Sequence, residues 1–315
     1  MTRRDMVLAA LVATLWGFNF VVIDWGMPGI PPLLFVAIRF ALVALFVVVV
    51  PRPAASWRTV VGVGVFMSLG QFGLLYSAMA LGLQPGLAAL LLQAQAVFTI
   101  LIATAVLREP PTPPQIVGVV LGVCGLVVVG FGRGGDAPVV AVVLALGAAA
   151  SWAIGNVISR RAGVVRGSGR LGALSLTVWS ALFVPVPSAA LSVVFEGPDA
   201  IAAGLVAFGW RPILSTLYTA VLCTLVGYTI FNGLLARNRS AAVVPWVLLA
   251  PVVAMISAAM LLGQIPTPAE GAGGVLLVVG VLVAGIPRRR LAPAPDLDAL
   301  DLAGVPSGGE GRGLG

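Results

Sequence analysis

"TVVGVGVFMSLGQFGLLYSAMALGLQPGLAALLLQAQAVFTILIATAVL", residues 59–107, carries no charged side chain. A helix rises about 1.5 Å per residue and a bilayer core is about 30 Å thick, so about 20 apolar residues make one crossing. The run is far too long for one span. "LGLQPG" at 81–86 supplies glycine and proline where the chain must turn, and it divides the run into two helices. That division sets the direction of every crossing after it.

Charge-free stretches of similar length recur along the chain, and they predict an all-α, polytopic membrane protein. Helices are expected near residues 6–24, 33–50, 59–81, 86–107, 114–131, 138–159, 171–194, 212–235, 241–262 and 270–286, ten transmembrane helices in all. The composition agrees: 60% of the 315 residues are hydrophobic and 9% charged, against about half and about a quarter in soluble domains. The 18 basic residues are all arginine, with no lysine or histidine, and no basic cluster lies on a polar face, so nucleic-acid binding is not supported. Cys124 and Cys223 have no partner at metal-ligand or redox spacing and read as small buried packing residues. No cofactor or metal site is expected. Arg3 and Arg4 precede an apolar run, but no cleavage site and soluble domain follow, so this run reads as a retained helix.

Arginines gather on the cytoplasmic side of short loops, which tests the topology. With the N-terminus inside, Arg3, Arg4, Arg52, Arg58, Arg108, Arg160, Arg161, Arg166, Arg170, Arg237, Arg239 and Arg288 to Arg290 fall on the inner side, while Arg133 and Arg211 fall outside. Both termini are then cytoplasmic. The tail, 291–315, is rich in Pro, Gly and Asp without periodicity and reads as disordered.

The chain repeats itself. "TLWGFNF" at 14–20 resembles "ASWAIGN" at 150–156, and "LREPPTPPQIVG" at 107–118 resembles "LGQIPTPAEGAG" at 262–273. Two five-helix repeats, 1–135 and 136–290, follow. An odd number of spans inverts the second copy, and the substrate path of such carriers lies near the midplane between copies.

"RRDMVLAALVATLWGFNFVVI", "IPPLLFVAIRFALVA", "GLAALLLQAQAVFTI", "SWAIGNVISRR", "SLTVWSAL" and "APVVAMISAAMLL" together resemble the EamA group of the drug/metabolite transporter superfamily, most closely its O-acetylserine/cysteine exporters. The resemblance spans about residues 1–287 and implies export of small metabolites across the bacterial inner membrane through a basket of ten helices. Two departures stand out. Relatives carry an acid at the inner end of the fourth helix and another at the matching place after the ninth; here these are Glu109 and Gln264. Asp24 stands where relatives are basic.

Polar residues within the spans mark the path. An amide buried without a partner costs roughly 2–7 kcal/mol, so Gln93 and Gln95 face protein or water rather than lipid. They lie about 200° apart on a regular helix, and Gln95 shares its face with Thr99 and two alanines. The path is assigned to Gln95 and Thr99, and packing to Gln93. Trp16 with Asn19, and Trp152 with Asn156, form indole–amide pairs related by the repeat; such pairs suit a small zwitterion, although tryptophans also pack cores. Thr224, Tyr228 and Asn232 form a stripe on the eighth helix, and Gln71 and Tyr76 contribute from the third. Pro245 and Pro251 free carbonyls that assist bending or simply kink the ninth helix.

Arg39 is the one clearly intramembrane charge, a placement that costs roughly 2.5–3.5 kcal/mol on insertion scales. It either snorkels outward, pairs with Asp24, or meets a substrate carboxylate; the structural roles rank first. Glu109, beside Arg108, reads as a solvated or gate-forming ion pair. Glycines 118, 122 and 125, with 273, 274 and 280, allow close helix approach as scaffold or dimer contacts.

A secondary transporter for cysteine-pathway metabolites or related amino acids working by alternating access is the leading reading. Export of aromatic amino acids or drug-like compounds is the alternative. With no histidine, proton exchange and facilitated efflux both remain open. A membrane-embedded lipid-linked transferase ranks far lower, because no paired carboxylates, metal cluster or activated nucleophile is visible.

Overall fold

The computed structural model describes residues 1–108, 110–132, 138–162, 172–238 and 240–286; Glu109 and the tail therefore lie outside the described residues. Helix α1 (Arg3–Gly26) starts in a capping box, in which Thr2 accepts from the Asp5 amide and Asp5 accepts from the Thr2 amide. Helix α2 (Pro32–Ala44) begins with proline, which needs no partner for its nitrogen, and runs on into a 3₁₀ turn, Leu45–Val48. Helix α3 (Trp57–Ala80) stops at the expected turn, where Gly82 takes φ 93, and α4 (Pro85–Leu92) starts immediately afterwards.

The fourth expected span is not a regular helix. Between α4 and α5 (Gln95–Leu107) the amides of Gln93 and Ala94 donate three residues back, to Leu90 O and Leu91 O at 3.0 Å. This 3₁₀ tightening turns the following helix relative to the preceding one. Gln93 and Gln95 thus flank a 3₁₀ step instead of lying on one regular helix. Beyond it lie α6 (Pro113–Gly132), α7 (Val139–Arg161), α8 (Gly172–Ala181), α9 (Pro185–Phe195), α10 (Pro198–Val206) and α11 (residues 210–237). The chain ends in α12 (Ser240–Val247), α13 (Ala250–Leu262) and α14 (Pro268–Ala284).

Among the described residues, five helices are long and apolar enough to cross a membrane: α1, α3, the α4–α5 rod, α7 and α11. They are six if α8 and α9, bent by 47° across residues 182–184 just before Pro185, form one span. The α2 rod, α6, α13 and α14 are apolar but shorter. Helix α10 was not expected, because its run is too short to span. Its Gly204 packs so closely on the Pro31 ring that a Cβ there would collide.

The interruptions come in matched pairs. Helix α3 widens into a π-helical stretch at Gly64–Gly70, and α11 does so at Tyr218–Gly227. The α4–α5 step recurs between α12 and α13, where the Leu249 amide donates to Trp246 O at 3.1 Å. Left-handed caps close α5 at Arg108 (φ 53) and α13 at Gly263 (φ 66).

The fifth and last rods pack on each other. Gly118 of α6 meets Gly280 of α14, and a Cβ on Gly125 would sit 2.6 Å from Gly273 O, so early residues of one helix face late residues of the other. The two helices are antiparallel. The glycines expected as scaffold or dimer contacts thus serve as scaffold within one chain. Cys223 is buried as expected, but Cys124 of α6 is exposed.

Replacing Gly118 or Gly273 by leucine should destabilise the protein by roughly 1–3 kcal/mol through overpacking. Gly271→Ala should be neutral or slightly stabilising, since nothing lies within 4 Å of its Cβ position. Thermal unfolding in detergent checks both; equal melting of all three variants would contradict the packing.

Candidate functional site

Each π stretch exposes carbonyls that the normal ladder would use, and in each case a side chain from the first helix of the other half reaches one of them. Ser151 of α7 donates to Phe66 O at 2.6 Å. Trp16 of α1 donates from Nε1 to Cys223 O at 3.0 Å. The hydroxyl of Tyr218 and the thiol of Cys223 both donate to Leu15 O, at 3.0 and 3.3 Å. Within the second stretch, the Thr224 hydroxyl donates to Thr219 O at 2.9 Å. Trp16, expected on the path, therefore has a structural duty. Its ring lies 5.3 Å from that of Tyr228 and 5.3 Å from that of Phe231.

The 3₁₀ step delivers Gln95 to the second half. Asn156 Nδ2 donates to Gln95 Oε1 at 3.0 Å, joining α7 to α5, and the Thr99 hydroxyl folds back onto Gln95 O at 2.6 Å. These three residues are brought together as a hydrogen-bonded unit rather than spread round an open cavity. Gln93, assigned to packing, is buried.

Like Ser159, Thr216 and Gln264 elsewhere, three further residues expected on the path hold buried polar atoms without a partner among the described residues: Asn19 Oδ1, Trp152 Nε1 and Asn232 Nδ2. Buried polar atoms in a finished scaffold are nearly always bonded, so each of these is open to a ligand. The acceptor of Asn19 suits an ammonium group, and the donors of Trp152 and Asn232 suit a carboxylate or carbonyl. Gln71 is buried on α3, within the first turn after the π stretch.

Arg39 departs from the expected structural roles. It is 3% exposed, so it does not snorkel, and it makes no ion pair with Asp24. Instead, Nη1 donates to the Tyr76 hydroxyl at 2.8 Å, and the guanidinium carbon lies 4.1 Å from the Phe72 ring centre. Asp24 is half-buried at the far end of α1. Among the described residues, the ion pair between helices is Arg237 with Asp5 at 3.2 Å, tying α11 to the start of α1.

Phe72 was missed in the sequence, although it lies four residues before Tyr76 and so on the same helical face. Glu270 was missed too: it is 3% exposed, in a capping box with Thr267 that "TPAE" at 267–270 signals directly. Trp179 packs against the end of the α2 rod, where its Nε1 donates to Val50 O at 3.0 Å. A separate groove of about 440 Å³ between α1, α11 and α13 is walled by Phe18, Trp25, Leu214, Tyr218 and Leu261. It is apolar and distinct from the amide-bearing residues.

The family model for EamA-like transporters matches residues 4–131 and 139–286. A Salmonella typhimurium protein named a probable amino-acid metabolite efflux pump is 39% identical over 297 residues, covering 93% of this chain and 99% of its own. An Escherichia coli protein of the same name is 37% identical over 286 residues, covering 90% and 95%. A crystal structure of a protein 20% identical to this chain superposes with a TM-score of 0.60 over 92% of this chain and 100% of that one, which supports the fold. Matched in both halves and across nearly its whole described length, the chain belongs to the EamA-like transporter family.

Proposed function

We propose that this multi-pass membrane protein is an inner-membrane secondary transporter that exports amino acids or their metabolites, cysteine and O-acetylserine first among them. Its ten helical rods form two inverted halves, 1–135 and 136–290, with both termini cytoplasmic, and the guest passes between them by alternating access. The observation that carries this reading is the set of buried, unpartnered polar atoms on Asn19, Trp152 and Asn232. They stand on the first helix of each half and on the helix that carries the second π stretch. The names of the two bacterial relatives point to the same substrate class. The antiparallel packing of α6 on α14 supports the inversion.

In this reading the Asn156–Gln95 bond is one closed arrangement of the path. A guest's polar groups replace it, and the 3₁₀ steps of the two broken rods supply places where the helices can swing. The alternative guest, an aromatic amino acid or drug-like compound, is favoured by the apolar groove walled by Phe18 and Trp25. Transport either follows the gradient of the accumulated metabolite or exchanges it for protons, and a pH gradient separates the two.

Pure protein in liposomes should give saturable counterflow of labelled L-cysteine or O-acetyl-L-serine, faster than that of L-phenylalanine. Absence of saturable flux for all three would refute the transporter reading. The double variant Gln95→Leu with Asn156→Leu should elute and unfold like the wild type while losing roughly tenfold or more of the flux, the order expected when buried polar recognition is removed. Unchanged flux after adding Asn19→Leu to that pair would remove the proposed path. Thiol labelling of single cysteines at positions 2 and 286 should occur only from the cytoplasmic side; labelling of either from outside would overturn the topology.

A further inference from the structure

We propose that Arg39 is the binding group for the carboxylate of the transported molecule, with Tyr76 and Phe72 holding the guanidinium ready for it. The proposal rests on the transporter reading above and sharpens it, because it requires every good substrate to carry an acid group.

Arg39 lies seven residues after Pro32, about 10 Å along α2 at the helical rise. This places it well inside the hydrocarbon region. A guanidinium has five N–H donors and no acceptor, and burying it without an anion is costly. Arg39 uses Nη1 on the Tyr76 hydroxyl, while its buried Nε has no partner among the described residues. The π stretch of α11 that packs on α2, Tyr218–Gly227, contains no acidic residue. A structural arginine at this depth would be expected to have a carboxylate beside it, and among the described residues none pairs with Arg39. The missing counter-charge is what a carboxylate guest brings, and the edge of the guanidinium that carries Nε presents the parallel donors for bidentate binding.

The surroundings suit a binding group better than a strut. The Phe72 ring, 4.1 Å away, stabilises the cation through its face and fixes the plane of the fork without using a donor. Phe35 and Phe72 each meet the Tyr76 ring edge-on, at 5.7 and 6.2 Å, which locks the hydroxyl that orients Nη1. Helix α2, which carries Arg39, packs on the π stretch of α11 whose Cys223 carbonyl accepts from Trp16, a residue expected on the path.

The repeat provides a second, independent argument. Scaffold devices occur in both halves: the π stretches, the 3₁₀ steps, the left-handed caps and the glycine contacts. The cation does not. "IRFAL" at 38–42 lines up with "VWSAL" at 178–182, which puts Trp179 opposite Arg39. A charge present once in a two-fold scaffold gives the path a direction for orienting a dipolar guest, with its acid end at Arg39.

Analogue competition in the wild-type protein tests this without any mutation. Counterflow of L-cysteine should be inhibited by 3-mercaptopropionate, which keeps the carboxylate. Cysteamine, which lacks it, and L-cysteine methyl ester, which masks it, should compete more weakly by roughly tenfold or more. Equal competition by all three would overturn the proposal while leaving the transporter reading intact. If cysteine is not carried, L-phenylalanine, 3-phenylpropionate and phenethylamine form the same series; no flux of L-cysteine, O-acetyl-L-serine or L-phenylalanine would defeat the underlying reading instead. Arg39→Gln should abolish the preference for acids and Arg39→Lys should keep part of it. A folded Arg39→Gln protein that still discriminates as the wild type does would also sink the assignment.

Discussion

A backbone amide or carbonyl inside a bilayer has no water to bond, so each place where a spanning helix departs from its regular ladder must find a partner within the protein. This requirement organises the whole chain. The α3 and α11 rods both widen into π turns in mid-span, and the α4–α5 and α12–α13 rods both tighten. The tightened steps stay satisfied by shortening their own bonds. The widened ones need help from outside, and the donors arrive from Ser151 and Trp16, on the opening helices of opposite halves. Irregular backbone therefore pins one half of the molecule to the other.

The same constraint accounts for where the chemistry sits. Helical distortions in lipid are tolerated where protein or a polar cavity surrounds them, which is where a hydrophilic guest can also be accommodated. The Gln95–Asn156 bond forms beside one tightened step, and the tilted Trp16–Tyr228 ring pair lies at the end of a widened stretch. Scaffold and proposed path share residues here. Trp16 props a carbonyl, and on the proposed path it also walls the route, so its loss would act on folding and transport together. The amides are cleaner probes of function, because Asn19 and Asn232 each leave a buried atom unsatisfied.

Much of the fold was legible because it is written in local chemistry. The turn at 81–86 announces itself by glycine and proline, and α3 and α4 end and begin around it. The glycines at 118, 125, 273 and 280 advertise close approach, whereas the threonine caps at 2 and 267, with acids three residues later, carried a signal that went unread. The interruptions were not legible. Gln93 and Ala94 are ordinary helix residues, and the 3₁₀ step there is imposed by tertiary packing rather than by propensity. Nor do the residues of 218–227 signal a π turn, since its stabilising donor comes from Trp16, far away in sequence. The pairings of Arg39 were obscure for a related reason. A charge in an apolar run demands a partner, but an acid such as Asp24 is the obvious guess, whereas a hydroxyl and an aromatic face supply it here.

The central claim is that polar side chains at the junction of the two halves receive an amino-acid guest. A density map of the protein in lipid nanodiscs with saturating L-cysteine tests it most directly. The account predicts ligand density bounded by Asn19, Trp152 and Asn232, with the Gln95–Asn156 bond parted. A well-resolved map in which those side chains face acyl chains, or fill the junction with no room for a guest, would contradict it.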